Sequence, residues 1–165
     1  MIKNVRGIFV VLMMISFVSF SFVGKDTPTE GLSIGDKAPE FNICGEKQLI
    51  NLKDLQGKYV LLSFWASYDA QSRMQNATLN NAVKKMHNVE MVSVSFDEYK
   101  SVFTETIKQD QISTSKCFVE LNGQESELYK TYRLKKGFKN YLLDENGVII
   151  AKDIKASELS SYLNW

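Results

Sequence analysis

Few side chains in this chain could do covalent chemistry. It has two cysteines, Cys44 and Cys117, and one histidine, His87. The cysteines stand far apart, so no Cys-x-x-Cys dithiol exists in which one thiolate attacks a disulfide and its neighbour resolves the product. One histidine and two separated cysteines are too few for a structural zinc or an iron–sulfur cluster, and no metal or other cofactor is expected. An even cysteine count allows a Cys44–Cys117 disulfide in an oxidising compartment. The favoured reading is two buried free thiols acting as small apolar side chains. A single reactive thiol, Cys117 or Cys44, is the third. His87 reads as a partner for the C-terminal end of a helix dipole. Asn76-Ala77-Thr78 fits a glycosylation sequon but falls inside a helical stretch, and is read as chance.

A second candidate is the polar run Tyr68-Asp69-Ala70-Gln71-Ser72-Arg73, which follows an apolar strand and opens a helix. Asp69 is placed as an N-cap, accepting backbone N–H groups and complementing the helix dipole for roughly 1 kcal/mol. With no histidine or second carboxylate close in sequence, it is not read as a catalytic base or nucleophile. Trp65 is expected in the core, and Tyr68 half-exposed where it could touch a ligand.

These residues are positioned by alternating strand and helix. Phe41 to Cys44 and Leu49 to Leu52 read as a hairpin around Gly45 and Lys47. Tyr59 to Ala66 is a near-continuous apolar run, the mark of a buried central strand. From Asp69 to His87 the spacing is helical, with Leu79, Ala82, Val83 and Met86 on one face, and Val89 to Phe96 is β-rich. Together these make a right-handed βαβ unit. A helix is expected over Tyr99 to Gln109 with Val102, Phe103 and Ile107 inward. A short strand follows at Cys117 to Leu121, then a helix over Glu125 to Leu134 with Leu128, Tyr129 and Tyr132 on one side. Asn146-Gly147 predicts a hairpin turn between Tyr141–Leu143 and Val148–Ala151, and Ala156 to Leu163 closes the chain as a helix. The fold class is α/β, a mixed central sheet with helices on both faces and an N-terminal β-hairpin.

Composition agrees. The chain has 165 residues, 44% of them apolar and 24% charged, which suits one globular domain. A net charge of +1 with mixed signs gives no reason to expect nucleic acid or an anionic membrane as partner. Lys3 and Arg6 precede an uncharged apolar run, Ile8 to Val23, so residues 1–24 read as a secretory signal or an uncleaved anchor. Either sends the domain out of the cytoplasm, to the periplasm or cell envelope. Residues 25–34 read as a polar linker and 35–165 as the domain.

Three segments carry a family resemblance: Gly35-Asp36-Lys37-Ala38-Pro39-Glu40-Phe41, Leu52 to Ser67 (LKDLQGKYVLLSFWAS), and Tyr141 to Lys152 (YLLDENGVIIAK). The chain resembles the extracytoplasmic thioredoxin-like proteins of the TlpA/ResA type, in the broader AhpC/TSA group. The resemblance implies a thioredoxin-like fold. It also implies a Trp-Cys-x-x-Cys motif after the Phe-Trp-Ala-Ser strand end, and here those cysteine positions are Asp69 and Ser72. The family's cis-proline position matches Phe138, in Phe138-Lys139-Asn140, where a trans bond is expected. Its buried acid would fall at Ser63 or Gln75. The family does not pair positions like Cys44 and Cys117. The resemblance therefore implies a degenerate site without dithiol chemistry.

The leading expectation is an exported, redox-inactive domain that binds a protein or peptide partner through Tyr68, Asp69, Phe138 and Lys139. The competing expectation is an oxidoreductase or antioxidant-type protein working through one cysteine, Cys117 or Cys44, with the second thiol supplied by a partner. A third is a purely structural envelope module.

Overall fold

A computed structural model describes residues 27–44, 49–112 and 116–163. Strand β3 (Tyr59–Trp65) forms the middle of a five-stranded sheet of order β5-β4-β3-β6-β7. Its apolar run is continuous because both faces are covered. Leu61 packs to one side and Leu62 and Phe64 to the other, and each such buried side chain contributes roughly 1.5–3 kcal/mol. Strand β4 (Val89–Ser95) lies parallel to β3, and β5 (Cys117–Val119) parallel to β4. The β6 (Asn140–Leu143) and β7 (Ile149–Lys152) hairpin completes the sheet, with β6 antiparallel to β3. A separate antiparallel pair, β1 (Asn42–Cys44) and β2 (Leu49–Asn51), is the expected N-terminal hairpin.

Two crossovers of the same hand put helix α1 (Ala70–Val83) and helix α2 (Lys100–Gln109) on one face. There Leu79 packs with Leu61, Met91, Leu142 and Ile154. The β1–β2 hairpin and the short helix α3 (Glu127–Thr131) cover the other face, where Ile43, Ile50, Tyr129 and Tyr132 pack on Phe64 and Val94. Asp144 sets the β6–β7 turn by accepting the N–H groups of Asn146 and Val148 at 2.9 and 2.8 Å, with Gly147 at φ 80°.

Several elements differ from the sequence expectation. Helix α1 ends at Val83, so His87 lies beyond it, exposed, and does not cap its dipole. In α2 the buried residues are Phe103 and Thr106, and Val102 faces solvent. The stretch read as one helix from Glu125 to Leu134 is broken. A 3-10 turn at Gly123–Glu125 is divided from α3 by Ser126, and α3 from a second 3-10 turn at Leu134–Lys136 by Tyr132 and Arg133, the latter with a left-handed φ of 54°. The last helix is a turn followed by the 3-10 segment Leu159–Tyr162. Within residues 25–34, the part from Thr29 is tied to the domain: Lys37 N–H donates to Thr29 C=O, and Lys152 Nζ to Leu32 C=O. The signal or anchor segment, residues 1–24, lies outside the described residues. Among the described residues no helix is long and apolar enough to cross a membrane.

Candidate functional site

Strand β3 delivers the chain to the site, and its last residue is anchored from below. Trp65 is fully buried, and its indole N–H donates to Ser93 Oγ at 2.8 Å. The Ser93 hydroxyl donates in turn to Asn76 Oδ1 on α1 at 2.8 Å. Asn76 is wholly buried, which suits the reading of its sequon as chance.

The next residues form a short loop held by one carboxylate. Asp97, only 2% exposed, follows β4. Its Oδ1 accepts the Ser67 N–H at 2.9 Å and the Ser67 hydroxyl at 2.6 Å, and its Oδ2 accepts the Ser95 hydroxyl at 2.6 Å. A buried carboxylate with this many donors is well satisfied. It fixes where Tyr68 stands. Asp97 was not among the sequence candidates, because one carboxylate after a strand is indistinguishable there from an ordinary solvated one.

Asp69 is the N-cap of α1. Its Oδ1 accepts the Ser72 N–H at 2.7 Å, and the Ser72 hydroxyl donates back to the Asp69 carbonyl at 3.2 Å. The Ala66 N–H donates to Ser72 Oγ at 3.4 Å, and Ser72 is buried. The positions that match a dithiol are thus occupied by a mutually capped Asp–Ser pair. At the positions where the resemblance places a buried acid, Ser63 is buried in β3, and the Gln75 amide donates to the Ile154 carbonyl at 3.1 Å.

Phe138 and Tyr68, both expected at the binding surface, do not stand apart with room for a ligand between them. They touch instead, with ring centroids 6.2 Å apart. Phe138 also stacks on Phe96 at 5.9 Å and meets Tyr129 edge-on at 6.4 Å. Every described peptide bond is trans, the one before Phe138 included. Lys139 does not reach toward Tyr68, since its ammonium pairs with Asp153 at 3.1 Å. Its carbonyl accepts from Phe64 N–H at 3.0 Å. Among the described residues, neither the N–H nor the C=O of Phe138 has a hydrogen-bond partner. Partial burial, Tyr129 and the carboxylates of Asp97, Asp69 and Glu98 hold the Tyr68 phenol above its ordinary value.

Cys117 lies opposite Ser93 in the β4–β5 register. Burial pushes its thiol up to about 11, against a smaller opposing effect of a hydrogen bond with Ser93. It is not disulfide-bonded. The side chain of Cys44 lies outside the described residues. No metal-ligating cluster occurs among the described residues.

Comparison with known proteins places this geometry. The AhpC/TSA family profile matches residues 34–152. The thiol-disulfide oxidoreductase ResA of Bacillus thuringiensis subsp. konkukian (strain 97-27) is 26% identical over 160 residues, 94% of this chain and 90% of that protein. ResA of Oceanobacillus iheyensis is 27% identical over 98% of this chain and 90% of its own length. Among solved structures, a thioredoxin-like protein from Parabacteroides distasonis ATCC 8503 is 43% identical with a TM-score of 0.74, covering 84% of this chain and all of that one. A thiol-disulfide oxidoreductase from Bacteroides fragilis NCTC 9343 is 30% identical with a TM-score of 0.65, covering 78% of this chain and 97% of that one. The chain belongs to the AhpC/TSA family, as a thioredoxin-like protein of the TlpA/ResA type.

Proposed function

We propose that this chain is an exported thioredoxin-like protein that binds a protein or peptide at the surface around Tyr68, Asp69 and Phe138 and does not exchange disulfides. The observation that carries the reading is the Asp69–Ser72 pair at the N-terminus of α1. A carboxylate and a hydroxyl cannot form or resolve a mixed disulfide. At Cys117 the single-cysteine alternative is disfavoured by partial burial, which raises the thiol to about 11 and keeps it protonated at neutral pH. What is left is a recognition surface: an exposed aromatic, a second aromatic in contact with it, and main chain at Phe138 that has no hydrogen-bond partner among the described residues. An extended segment can pair with such main chain as an added strand, and aromatics are frequent energetic anchors of interfaces. Export rests on Lys3, Arg6 and the apolar run Ile8 to Val23.

The test has two arms. Purified protein should not accelerate reduction of insulin by dithiothreitol. Turnover that disappears on Cys117→Ser would reverse the assignment. Partner recovery from the native envelope should then be compared for wild type, Tyr68→Ala, Phe138→Ala and the exposed, distant Leu49→Ala. Loss with the first two at unchanged melting temperature supports the surface. Undiminished recovery by both folded variants moves it elsewhere.

A further inference from the structure

Because the Tyr68 and Phe138 rings touch, the open space lies on the far side of Tyr68. Residues from the loops after β3, β4 and β5 line a groove of about 480 Å³ there. Three large apolar side chains gather in it although each is well exposed, Tyr68 at 65%, Tyr99 at 66% and Leu121 at 51%. Buried Phe96 forms the floor and locks the groove to the aromatic cluster of Phe138 and Tyr129. A gathering of exposed apolar groups on one wall marks an interaction site more than the same residues scattered would.

The rim is charged with one sign. Glu98 and Glu125 both line the groove, and among the described residues no lysine or arginine does. Asp69 and Asp97 stand behind Tyr68. Lys130 lies 3.7 Å from both Glu125 and Glu127, an exposed contact that ties up little of either charge. Lys100, next in the chain after Tyr99, has an interaction of its own.

We propose that this groove takes an extended peptide segment in which an apolar side chain stands next to a lysine or arginine. The apolar group rests on Leu121 and Tyr99, and the cation lies between Glu98 and Glu125. A guanidinium or ammonium there can also sit over the face of Tyr68 or Tyr99, so the aromatic and acidic parts act on the same group. The inference rests on the peptide-binding reading and adds the chemistry of what is bound.

The probes are cysteine-free octapeptides in a Gly/Ser frame whose central pair is 4-fluorophenylalanine–arginine, 4-fluorophenylalanine–glutamate or serine–arginine. They are titrated to millimolar concentration against the full-length chain in a nonionic detergent. Fluorine NMR reads the two aromatic probes directly and the third by competition. The aromatic–arginine peptide should bind at least about tenfold more tightly than either other probe, since opposite charges attract and like charges repel at such a rim. Its affinity should fall several-fold as salt rises from about 0.05 to about 0.5 M. Glu98→Lys with Glu125→Lys, both at exposed positions, should invert the preference between arginine and glutamate. Equal binding of the two aromatic peptides, a preference that survives charge reversal, or no binding by any probe overturns the proposal. Partner recovery that still depends on Tyr68 and Phe138 while the peptides show no charge preference would sink this inference alone. Charge-selective peptide binding with partner recovery indifferent to Tyr68 and Phe138 would sink only the earlier reading.

Discussion

A helix N-terminus with unpaired N–H groups attracts negative charge, and at residue 69 a fixed carboxylate meets that demand. The Asp69 carboxylate stabilises α1 without the reactivity a thiolate would have there. Asp69→Ala should therefore lower stability by about 1 kcal/mol, measured by denaturant unfolding, with no gain or loss of redox activity. The scaffold beneath the substitution is intact, because Asp69 and Ser72 face each other over one helical turn. Asp69→Cys with Ser72→Cys should yield an intrachain disulfide on mild oxidation, seen as loss of both introduced thiols in a monomeric product. A folded double variant that forms only intermolecular disulfides would mean that the two positions do not share the turn. Residue types alone were enough to place Asp69 as a cap, since a cap is local chemistry, whereas Ser72 entered only through the family resemblance. Residue types were not enough for Tyr68 and Phe138. Their contact depends on Phe96 and Tyr129, which arrive from other parts of the chain.

Elements were legible where burial is two-sided or the turn chemistry is strong. The β3 run and the Asn146-Gly147 hairpin stand where the pattern put them. Illegible were the places where tertiary packing overrides local period. The apolar spacing runs unbroken through Leu128, Tyr129 and Tyr132, yet Arg133 turns left-handed so that Leu134 can enter the same cluster. In α2 the face is rotated by the need for Phe103 to meet Trp65, at a ring distance of 6.3 Å, and that leaves Val102 outside. A charge cluster joins the three parallel strands at one end: Glu90 on β4 pairs with Lys58 before β3 at 2.7 Å and with Lys116 before β5 at 2.6 Å. Hydrogen bonds from Lys116 and then Lys58 hold the Glu90 carboxyl below its ordinary value. A depressed carboxylate contributes stability above its unfolded value of about 4.5, lost as pH falls through the folded value. Glu90→Gln should thus cost up to about 1 kcal/mol near neutral pH, given the partial exposure of the cluster. The gap should close in thermal melts as pH falls below about 4.5. A gap that persists in acid would assign the loss to packing.

At the scale of the whole molecule, the sheet itself decides the fate of the two cysteines. Strand β1 belongs to the hairpin whose Ile43 and Ile50 sit in the core on one face, together with Phe118 of β5. Cys117, next to Phe118 along an alternating strand, points to the opposite face beside Ser93, whose hydroxyl reaches Asn76 of α1. Strand β1 and the Cys117 side chain thus lie on opposite faces of the sheet, so both sulfurs should remain free thiols even in an oxidising compartment. The partly buried Cys117 thiol also favours its protonated form. Its contribution to stability is full below the unfolded value of about 9 and is lost as pH rises toward about 11. In native protein at neutral pH, alkylation of Cys117 should be slow and should quicken as pH climbs through that window. After denaturation without reductant, intact mass should gain two alkyl groups. Zero additions, restored to two by reductant, would establish a Cys44–Cys117 disulfide and require β1 to stand on the other side of the sheet. Rapid native labelling of Cys117 at neutral pH would return the single-cysteine oxidoreductase to first place, because a thiol that is both accessible and ionised is the one group here able to attack a disulfide.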